Sequence, residues 1–335
     1  MTRATGMGPL PQLLEVQESS KAVHRAFADA GLPISLISDR QHLVPLHALI
    51  RLFERSAQLS GDPVFGLHVG LEMAPQEYGL WLRYSLQAPT LRQGISRLAR
   101  CLVLHQFGGQ LSMEPRGAGR VAWRYWHSDM GDPCAAHHAD HVVPVMIQFA
   151  QAYLGQHWRP ERIKVGYPRD RAFSLREDAL GVPWCAGQRS VALVFPARCL
   201  AARARSENSV RADAPLLTSI EVLADQRRQE ARDPLASVEA IITLRLLDGQ
   251  TDIGGAAEAL GVGPRSLQRI LARDGVSYRA VLERVRMKRA KALISETERP
   301  LTHIAFDMGY SDPAHFSRAF SRYFGYPPSR LRTAA

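Results

Sequence analysis

Residues 253–275, IGGAAEALGVGPRSLQRILARDG, and residues 301–325, LTHIAFDMGYSDPAHFSRAFSRYFG, are two versions of one pattern. Ile253, Ala257, Leu260, Gly261 and Val262 recur 48 positions later as Leu301, Ala305, Met308, Gly309 and Tyr310. Leu267, Arg269, Leu271 and Arg273 recur at an offset of 49 as Phe316, Arg318, Phe320 and Arg322, so the one-residue slip falls in the turn. An internal repeat of this kind means one supersecondary unit used twice.

Each copy has the parts of a helix-turn-helix. In the first, a helix over about Asp252–Leu260 buries Ile253, Ala256, Ala257 and Leu260, and the small alanines let a second helix cross closely. Gly261 stands where the chain must take a left-handed cap, which glycine adopts at least cost. Pro264 opens the next helix near its first position, where a missing N–H is harmless. Leu267, Ile270 and Leu271 then face inward, leaving Arg265, Ser266, Gln268, Arg269 and Arg273 outside. The second copy puts Leu301, Ile304, Ala305 and Met308 on the first helix, Gly309 at the turn, Ser311 or Asp312 as N-cap and Pro313 near the first position. Phe316, Ala319, Phe320 and Phe324 face the core, and Ala314, His315, Ser317, Arg318, Ser321 and Arg322 face out. Outward arginine, glutamine, serine and histidine are the side chains that read base edges or hold phosphate oxygens. Arg269 and Arg318 fit either contact, and His315 either reads a base or caps its helix.

Between the copies, Tyr278–Ser295 has an apolar seam of Val281, Leu282, Val285, Leu293 and Ile294 opposite Arg284, Arg286, Lys288, Arg289 and Lys291. As a helix it is roughly 25 Å long, a rod that would set two recognition helices into successive major grooves about 34 Å apart. Its cations, Lys288 and Lys291 among them, read as a solvated face.

The charge agrees with this. The 335 residues carry a net charge of +10, and 46% hydrophobic against 22% charged residues excludes a disordered or fibrous chain. Residues 234–335 hold 15 Lys+Arg against 10 Asp+Glu, while residues 1–233 hold 27 against 22, so the C-terminal third has about twice the net charge per residue. An excess of base calls for an acidic partner, nucleic acid first and a membrane surface second. No apolar run approaches the ~20 residues that span a bilayer, and Met1–Ser20 lacks a signal-peptide core. Cys101, Cys134, Cys185 and Cys199 lie far apart, as buried or free thiols in a reducing compartment do. The expectation is a cytoplasmic protein.

Ahead of the repeat the chain is mixed. Leu46–Leu59 and Leu91–His105 have helical periodicity, the latter behind Thr90 as N-cap, and Ala135–Gly155 is helical again. Gln110–Met113 and Val121–Tyr125 alternate around Pro115, Gly117 and Gly119 as a hairpin, with short strands over Ile163–Tyr167 and Val191–Phe195. Pro196–Pro215 reads as a linker and Leu216–Glu230 as a connecting helix ending near Asp233-Pro234. The expected fold is an α+β N-terminal regulatory domain, helices with an antiparallel sheet, plus an all-α C-terminal domain of two helix-turn-helix motifs joined by a linker helix. The expected division is 1–200 for effector sensing and dimerisation, 201–234 for the link and 235–335 for DNA.

The run SLQRILARDGVSYRAVLERVRMKRAKALI followed by PLTHIAFDMGYSDPAHFSRAFSRYFGYPPSRLR resembles the C-terminal DNA-binding domain of the AraC/XylS family of bacterial transcription regulators, over about Ser237–Arg332. The matching pieces are Leu267 and Arg269, the Arg286, Ala290, Leu293 rhythm, Ile304-Ala305 with Gly309-Tyr310, His315 through Phe320, and Gly325 with Pro328. The front two hundred residues resemble, more loosely, the arabinose-binding-type domain of ornithine-utilisation-like members. One departure is the Arg-rich stretch Arg198–Arg211 after Phe195-Pro196-Ala197, where that subfamily has a short proline-bearing link. The resemblance implies an activator that binds promoter DNA, contacts RNA polymerase, responds to a small-molecule effector and forms a homodimer.

Two further features invite a different chemistry. In PCAAHHADH, residues 133–141, the pairs Cys134/His138 and His137/His141 are four apart, a spacing compatible with metal ligands. No second ligand pair stands elsewhere at recognisable spacing, so a polar helix start with Asp140 favouring the dipole is preferred, and no metal or other cofactor is expected. Trp81, Tyr84, Trp123, Tyr125 and Trp126 are candidates either for an effector pocket or for ordinary core, and the sequence names no effector ligand. The chain has no Gly-rich phosphate loop, G-x-S-x-G or H-E-x-x-H, so it is not read as an enzyme. The competing reading is a front-domain enzyme or metal sensor tethered to DNA by a basic tail.

Overall fold

The computed structural model describes residues 1–74, 78–128, 135–204, 220, 223–224 and 234–333. The chain falls into two compact units, one of Met1–Gln41 with Leu46–Arg232 and the other of His42–Pro45 with Asp233–Ala335. Cys134 and most of the expected linker and connecting helix lie outside the described residues.

The N-terminal unit packs helices on a five-stranded sheet. In spatial order its strands are Gln110–Arg116, Arg120–Trp126, Val191–Pro196, Arg162–Lys164 and Trp184–Cys185. The hairpin forms as expected, with Leu111 opposite Tyr125 and Met113 opposite Trp123. The sheet is not wholly antiparallel, because Trp184–Cys185 runs parallel to Arg162–Lys164. That strand is two residues long, too short for alternation to reveal it. The side chains of Trp123, Tyr125, Leu193 and Phe195 alternate with Ala122, Ala192 and Val194, so the bulky residues occupy one face and the small ones the other.

The periodic helices are present as Leu46–Ser60, Leu91–Cys101 and Ala136–Leu154. The Thr90 hydroxyl accepts from the Gln93 N–H at 3.3 Å and caps the second. Helices over Leu10–Gln17, Ser20–Ala30, Phe65–Glu72, Leu80–Leu86, Phe173–Leu180 and Pro234–Arg245 were not evident in the sequence. Phe65–Glu72 illustrates the reason: it is apolar nearly all round, so it has no polar face to set a period. The first part of the expected linker also belongs to this unit. Ala197–Ala201 forms a 3-10 turn, and the Ala202 carbonyl accepts from the Leu91 N–H at 3.0 Å.

Phe65–Glu72 crosses the Ala136–Leu154 helix backbone to backbone. A Cβ on Gly66 would lie 2.0 Å from the His137 carbonyl oxygen, and one on Gly70 2.4 Å from that of His141. The two glycines, one turn apart, are what allow the long helix to sit this deep.

The C-terminal unit is all helix. Ile253–Ala259 and Pro264–Arg273 form the first helix-turn-helix, and Leu301–Asp307 and Pro313–Phe324 the second. Gly261 at φ 68° and Gly309 at φ 73° supply the left-handed turns. Tyr278–Glu296 is the helix between them, and its Met287, Ala290 and Ile294 enter one core with Ile304, Ala305, Met308, Phe316 and Phe320. Its other end packs on Pro234–Arg245.

Gly66→Ala is expected to destabilise the protein by about 1–3 kcal/mol, because two backbones must separate. Gly117→Ala, where a Cβ meets nothing within 4 Å, should stay near wild type. Urea midpoints of the two variants measured side by side test this, and equal midpoints would exclude the glycine contact as a constraint.

Candidate functional site

The two Pro-initiated helices of the C-terminal unit present the expected residues. Arg265, Gln268, Arg269 and Arg273 are exposed on the first, with Ser266 half-buried. Ala314, His315, Arg318 and Arg322 are exposed on the second, with Ser317 half-buried. Leu267 and Leu271 in one, and Phe316, Ala319 and Phe320 in the other, are buried as the phase predicts, while Ile270 is half-buried.

Several of the outward groups are already engaged. Asp312 caps its helix, accepting from the Ala314 N–H at 2.9 Å and the His315 N–H at 3.2 Å, and lies 3.8 Å from the Arg318 guanidinium. His315 therefore does not fill the capping role. Ser317 donates to the Pro313 carbonyl at 3.0 Å, which turns its hydroxyl proton back into the helix. Arg322 donates to Glu283 of the linking helix at 2.8 Å, so its guanidinium is held 39 residues from its own position in the chain. Such exposed pairs contribute little to stability and are readily exchanged for a stronger anion.

The arginines of the linking helix are a correction to the sequence reading. Arg284 pairs with Glu239 at 2.5 Å, and Arg289 donates to the Thr243 carbonyl at 3.2 Å, both on Pro234–Arg245. Arg286 stands over the Tyr310 ring at 5.0 Å, and Lys291 over that of Phe324 at 5.3 Å. Lys288 and Lys291 are exposed as the solvated reading expected, although Lys288 also lies 3.8 Å from Glu239, while Arg284, Arg286 and Arg289 are half-buried. The reason is that one flank of the helix docks on Pro234–Arg245 and another on the second helix-turn-helix, so the arginine side chains lie along contacts rather than into water.

The N-terminal unit holds a half-open cavity of about 80 Å³. Its walls come from the start of the chain, the sheet and the Ala136–Leu154 helix, and include Tyr78, Trp81, His105, Gln106, Trp123 and His138. Of the five aromatic candidates, Trp81, Trp123 and Tyr125 line it; Tyr84 is buried elsewhere, and Trp126 is 39% exposed. His105, Gln106 and Tyr78 carried no local signal, because what unites them is the tertiary fold and not a spacing.

The described part of PCAAHHADH, residues 135–141, is not a solvated helix start. His138, Asp140 and His141 are buried. Asp140 accepts from Arg176 Nε at 2.7 Å and from the Tyr167 hydroxyl, and Arg176 also donates to Asp170 at 2.7 Å. A fully buried carboxylate needs such a partner, and this ion pair ties the helix to Phe173–Leu180. His137 Nδ1 accepts from the Gly66 N–H at 3.3 Å. Among the described residues no group of three or more histidines, cysteines or acids is arranged to hold a metal ion.

Burial pushes the histidines of the cavity down. His105 lies at about 4, lowered by burial and then by the Arg3 charge. His141 lies at about 3, chiefly through burial, and His138 is lowered by burial with His141, His127 and His105 adding repulsion. The rings are thus neutral, each with one donor and one acceptor nitrogen.

Residues 22–204 match the profile of the arabinose-binding N-terminal domain of AraC transcription regulators, and residues 256–334 match a helix-turn-helix domain. The chain belongs to the AraC family of transcription regulators. It is 34% identical over 111 residues to the transcriptional activator RhrA of Rhizobium meliloti, covering 32% of this chain and 35% of that one. It is 39% identical over 83 residues to the ornithine utilization regulator of Pseudomonas aeruginosa, covering 25% of this chain and 24% of that regulator. The matches thus span about a third or less of these relatives' length. The crystal structure of the transcriptional regulator CdpR from Pseudomonas aeruginosa aligns over 93% of this chain and 98% of its own, at 20% identity and a TM-score of 0.41.

The neutral histidines give the protein a pH dependence. Below about 6.5 the unfolded chain takes up protons that the folded chain refuses, so stability is complete above that pH and is lost as pH falls toward about 4. Each excluded proton steepens the loss by about 1.4 kcal/mol per pH unit. Unfolding midpoints between pH 7.5 and 5 should fall, and His105→Phe should flatten the slope; a midpoint constant over that range would contradict the buried neutral rings.

Proposed function

We propose that the protein is a one-component transcription regulator that binds promoter DNA through Pro264–Arg273 and Pro313–Phe324 and responds to a small molecule in its N-terminal unit. The observation that carries this is the duplication: two helices in one compact unit, each led by proline, each with a buried apolar face and an exposed face bearing arginines. The helix between them rises about 28 Å over its 19 residues, close to the ~34 Å between successive major grooves on one side of a duplex.

Arg265, Ser266, Gln268, Arg269 and Arg273 contact one groove, and Ala314, His315, Ser317, Arg318 and Arg322 the next. Arg269 and Arg318, at matched positions, are the residues for base contact, with Gln268 beside them suited to adenine. Ala314 suits contact with a thymine methyl group, and Arg322 exchanges Glu283 for phosphate. Residues 235–335 are the DNA-binding domain, 201–234 the link, and 1–200 the part that senses the effector and dimerises. The effector acts by stabilising one arrangement of the DNA-binding units over another. The protein catalyses no reaction, and it works in the cytoplasm as an activator in contact with RNA polymerase. The family supports this reading, as does the fact that no helix among the described residues is long and apolar enough to cross a membrane.

Selection of genomic DNA fragments by the full chain at fixed salt should recover a bipartite site with contacted segments one helical turn apart. On that site Arg269→Ala and Arg318→Ala should each cost about 1–3 kcal/mol and should cost less on random DNA. Equal losses on both would assign these arginines to phosphate, and recovery of no preferred sequence would overturn the proposal.

A further inference from the structure

Four polar side chains around the cavity of the N-terminal unit have atoms with no hydrogen-bond partner: Gln106 Nε2, Trp123 Nε1, His105 Nδ1 and His138 Nδ1. These residues are 3%, 1%, 7% and 3% exposed, so water outside the protein does not satisfy them. Leaving such a group buried and unpaired costs about 1–3 kcal/mol each, and four around one small space are positions that a bound molecule can satisfy.

The other polar groups of the wall are spoken for. Trp81 Nε1 donates to the Tyr78 carbonyl at 2.8 Å, the Tyr125 hydroxyl to Gln106 Oε1 at 2.7 Å, and Tyr78 to the Met73 sulfur at 3.3 Å. His141 Nδ1 meets the His138 carbonyl at 2.5 Å. What remains is a set of donors from Gln106 and Trp123 and two neutral imidazoles, each able to give or accept one proton according to its tautomer.

The rest of the wall is apolar, including Leu49, Leu98, Val145, Met146 and Phe149, and no lysine, arginine, aspartate or glutamate lines it. A carboxylate, phosphate or ammonium would enter with no countercharge and would lose its hydration without return. A sugar has a hydroxyl on nearly every carbon, more than four open positions can serve. The space, about 80 Å³, admits only a small molecule. Ring faces are at hand: His105 is stacked on Trp81 at 5.5 Å and 21°, and Phe149 lies 5.7 Å from Trp123.

We propose that this cavity is a ligand site for a small, uncharged, single-ring molecule bearing one hydroxyl or carbonyl oxygen, which accepts from Gln106 Nε2 or Trp123 Nε1 and, if a hydroxyl, donates to His105 or His138. This rests on the reading of the N-terminal unit as a sensor and names the chemical class of what it senses. Because the domain family is called arabinose-binding, the inference separates the fold from that ligand: the wall described here is built for neither a sugar nor an amino acid.

Phenol and toluene have the same heavy-atom count and shape and differ by the one polar atom, so they are the probes. Titrated into the full-length protein and followed by tryptophan fluorescence and calorimetry, phenol should bind more tightly than toluene by roughly tenfold, the worth of one net hydrogen bond. Gln106→Leu combined with Trp123→Phe should bring the two to near equality while the far-UV spectrum stays unchanged. If that variant does not fold, Trp123→Phe alone takes its place, with a partial loss of the difference expected. Equal affinity for phenol and toluene in the unaltered protein, binding of arabinose or ornithine in preference to either, or no binding of any probe would each overturn the proposal. The same protein sample tested for preference between its selected DNA site and random DNA separates the two readings: preference retained with phenol unbound removes only the ligand class, and preference absent removes the regulator.

Discussion

The architecture of the N-terminal unit depends on how closely one helix can be approached. Ala136–Leu154 has the backbone of Phe65–Glu72 against it at Gly66 and Gly70, where any side chain would collide with the His137 or His141 carbonyl. Nearby on the same helix, Asp140 is held by Arg176 and Tyr167 in a fully buried cluster. A close backbone contact and a buried ion pair have sharp distance requirements, unlike apolar packing, which tolerates sliding. Together they fix the axial position and the rotation of the helix. The placement of His138, His141, Val145 and Phe149 about the cavity follows from that fixation.

The C-terminal unit solves a different problem, that of keeping two small motifs rigid. The first helix pair has little core of its own, since Ile253–Ala259 buries little beyond Ala256 and Ala257. The helix between them supplies the remainder, giving Met287, Ala290 and Ile294 to the second motif and packing its other flank on Pro234–Arg245. The Tyr278 hydroxyl donates to the Asp252 carbonyl at 3.2 Å, joining this helix to the cap of the first motif. Its arginines are recruited to these contacts, which is why Arg284, Arg286 and Arg289 are half-buried while Lys288 and Lys291 stay exposed.

The sequence was most legible where local chemistry is strict. The Gly261 and Gly309 turns, Pro264 and Pro313 at helix starts, the Asp312 and Thr90 caps and the inward phase of Phe316 and Phe320 could all be read along one dimension. The exposed residues of the candidate DNA-binding face were read from the same phase. The cavity was half legible: Trp81, Trp123 and Tyr125 drew attention as aromatics and His138 and His141 as a histidine cluster, yet nothing in their spacing shows that they meet. Asp140 was misread for a related reason. Its neighbours along the chain suggest a polar helix start, whereas its partners Tyr167 and Arg176 lie 27 and 36 residues away.

Sharing one helix between both motifs has a consequence for the geometry of an operator. Because Tyr278–Glu296 is built into the second core at one end and braced at the other, the two exposed faces cannot turn independently. One base pair inserted between the two contacted segments would rotate one groove by roughly 35° about the duplex axis. With one helix shared by both motifs, on the proposed bipartite site much of that twist would fall on the DNA itself. Spacer length would then act as a filter in its own right, rejecting sites whose individual half-sites are perfect.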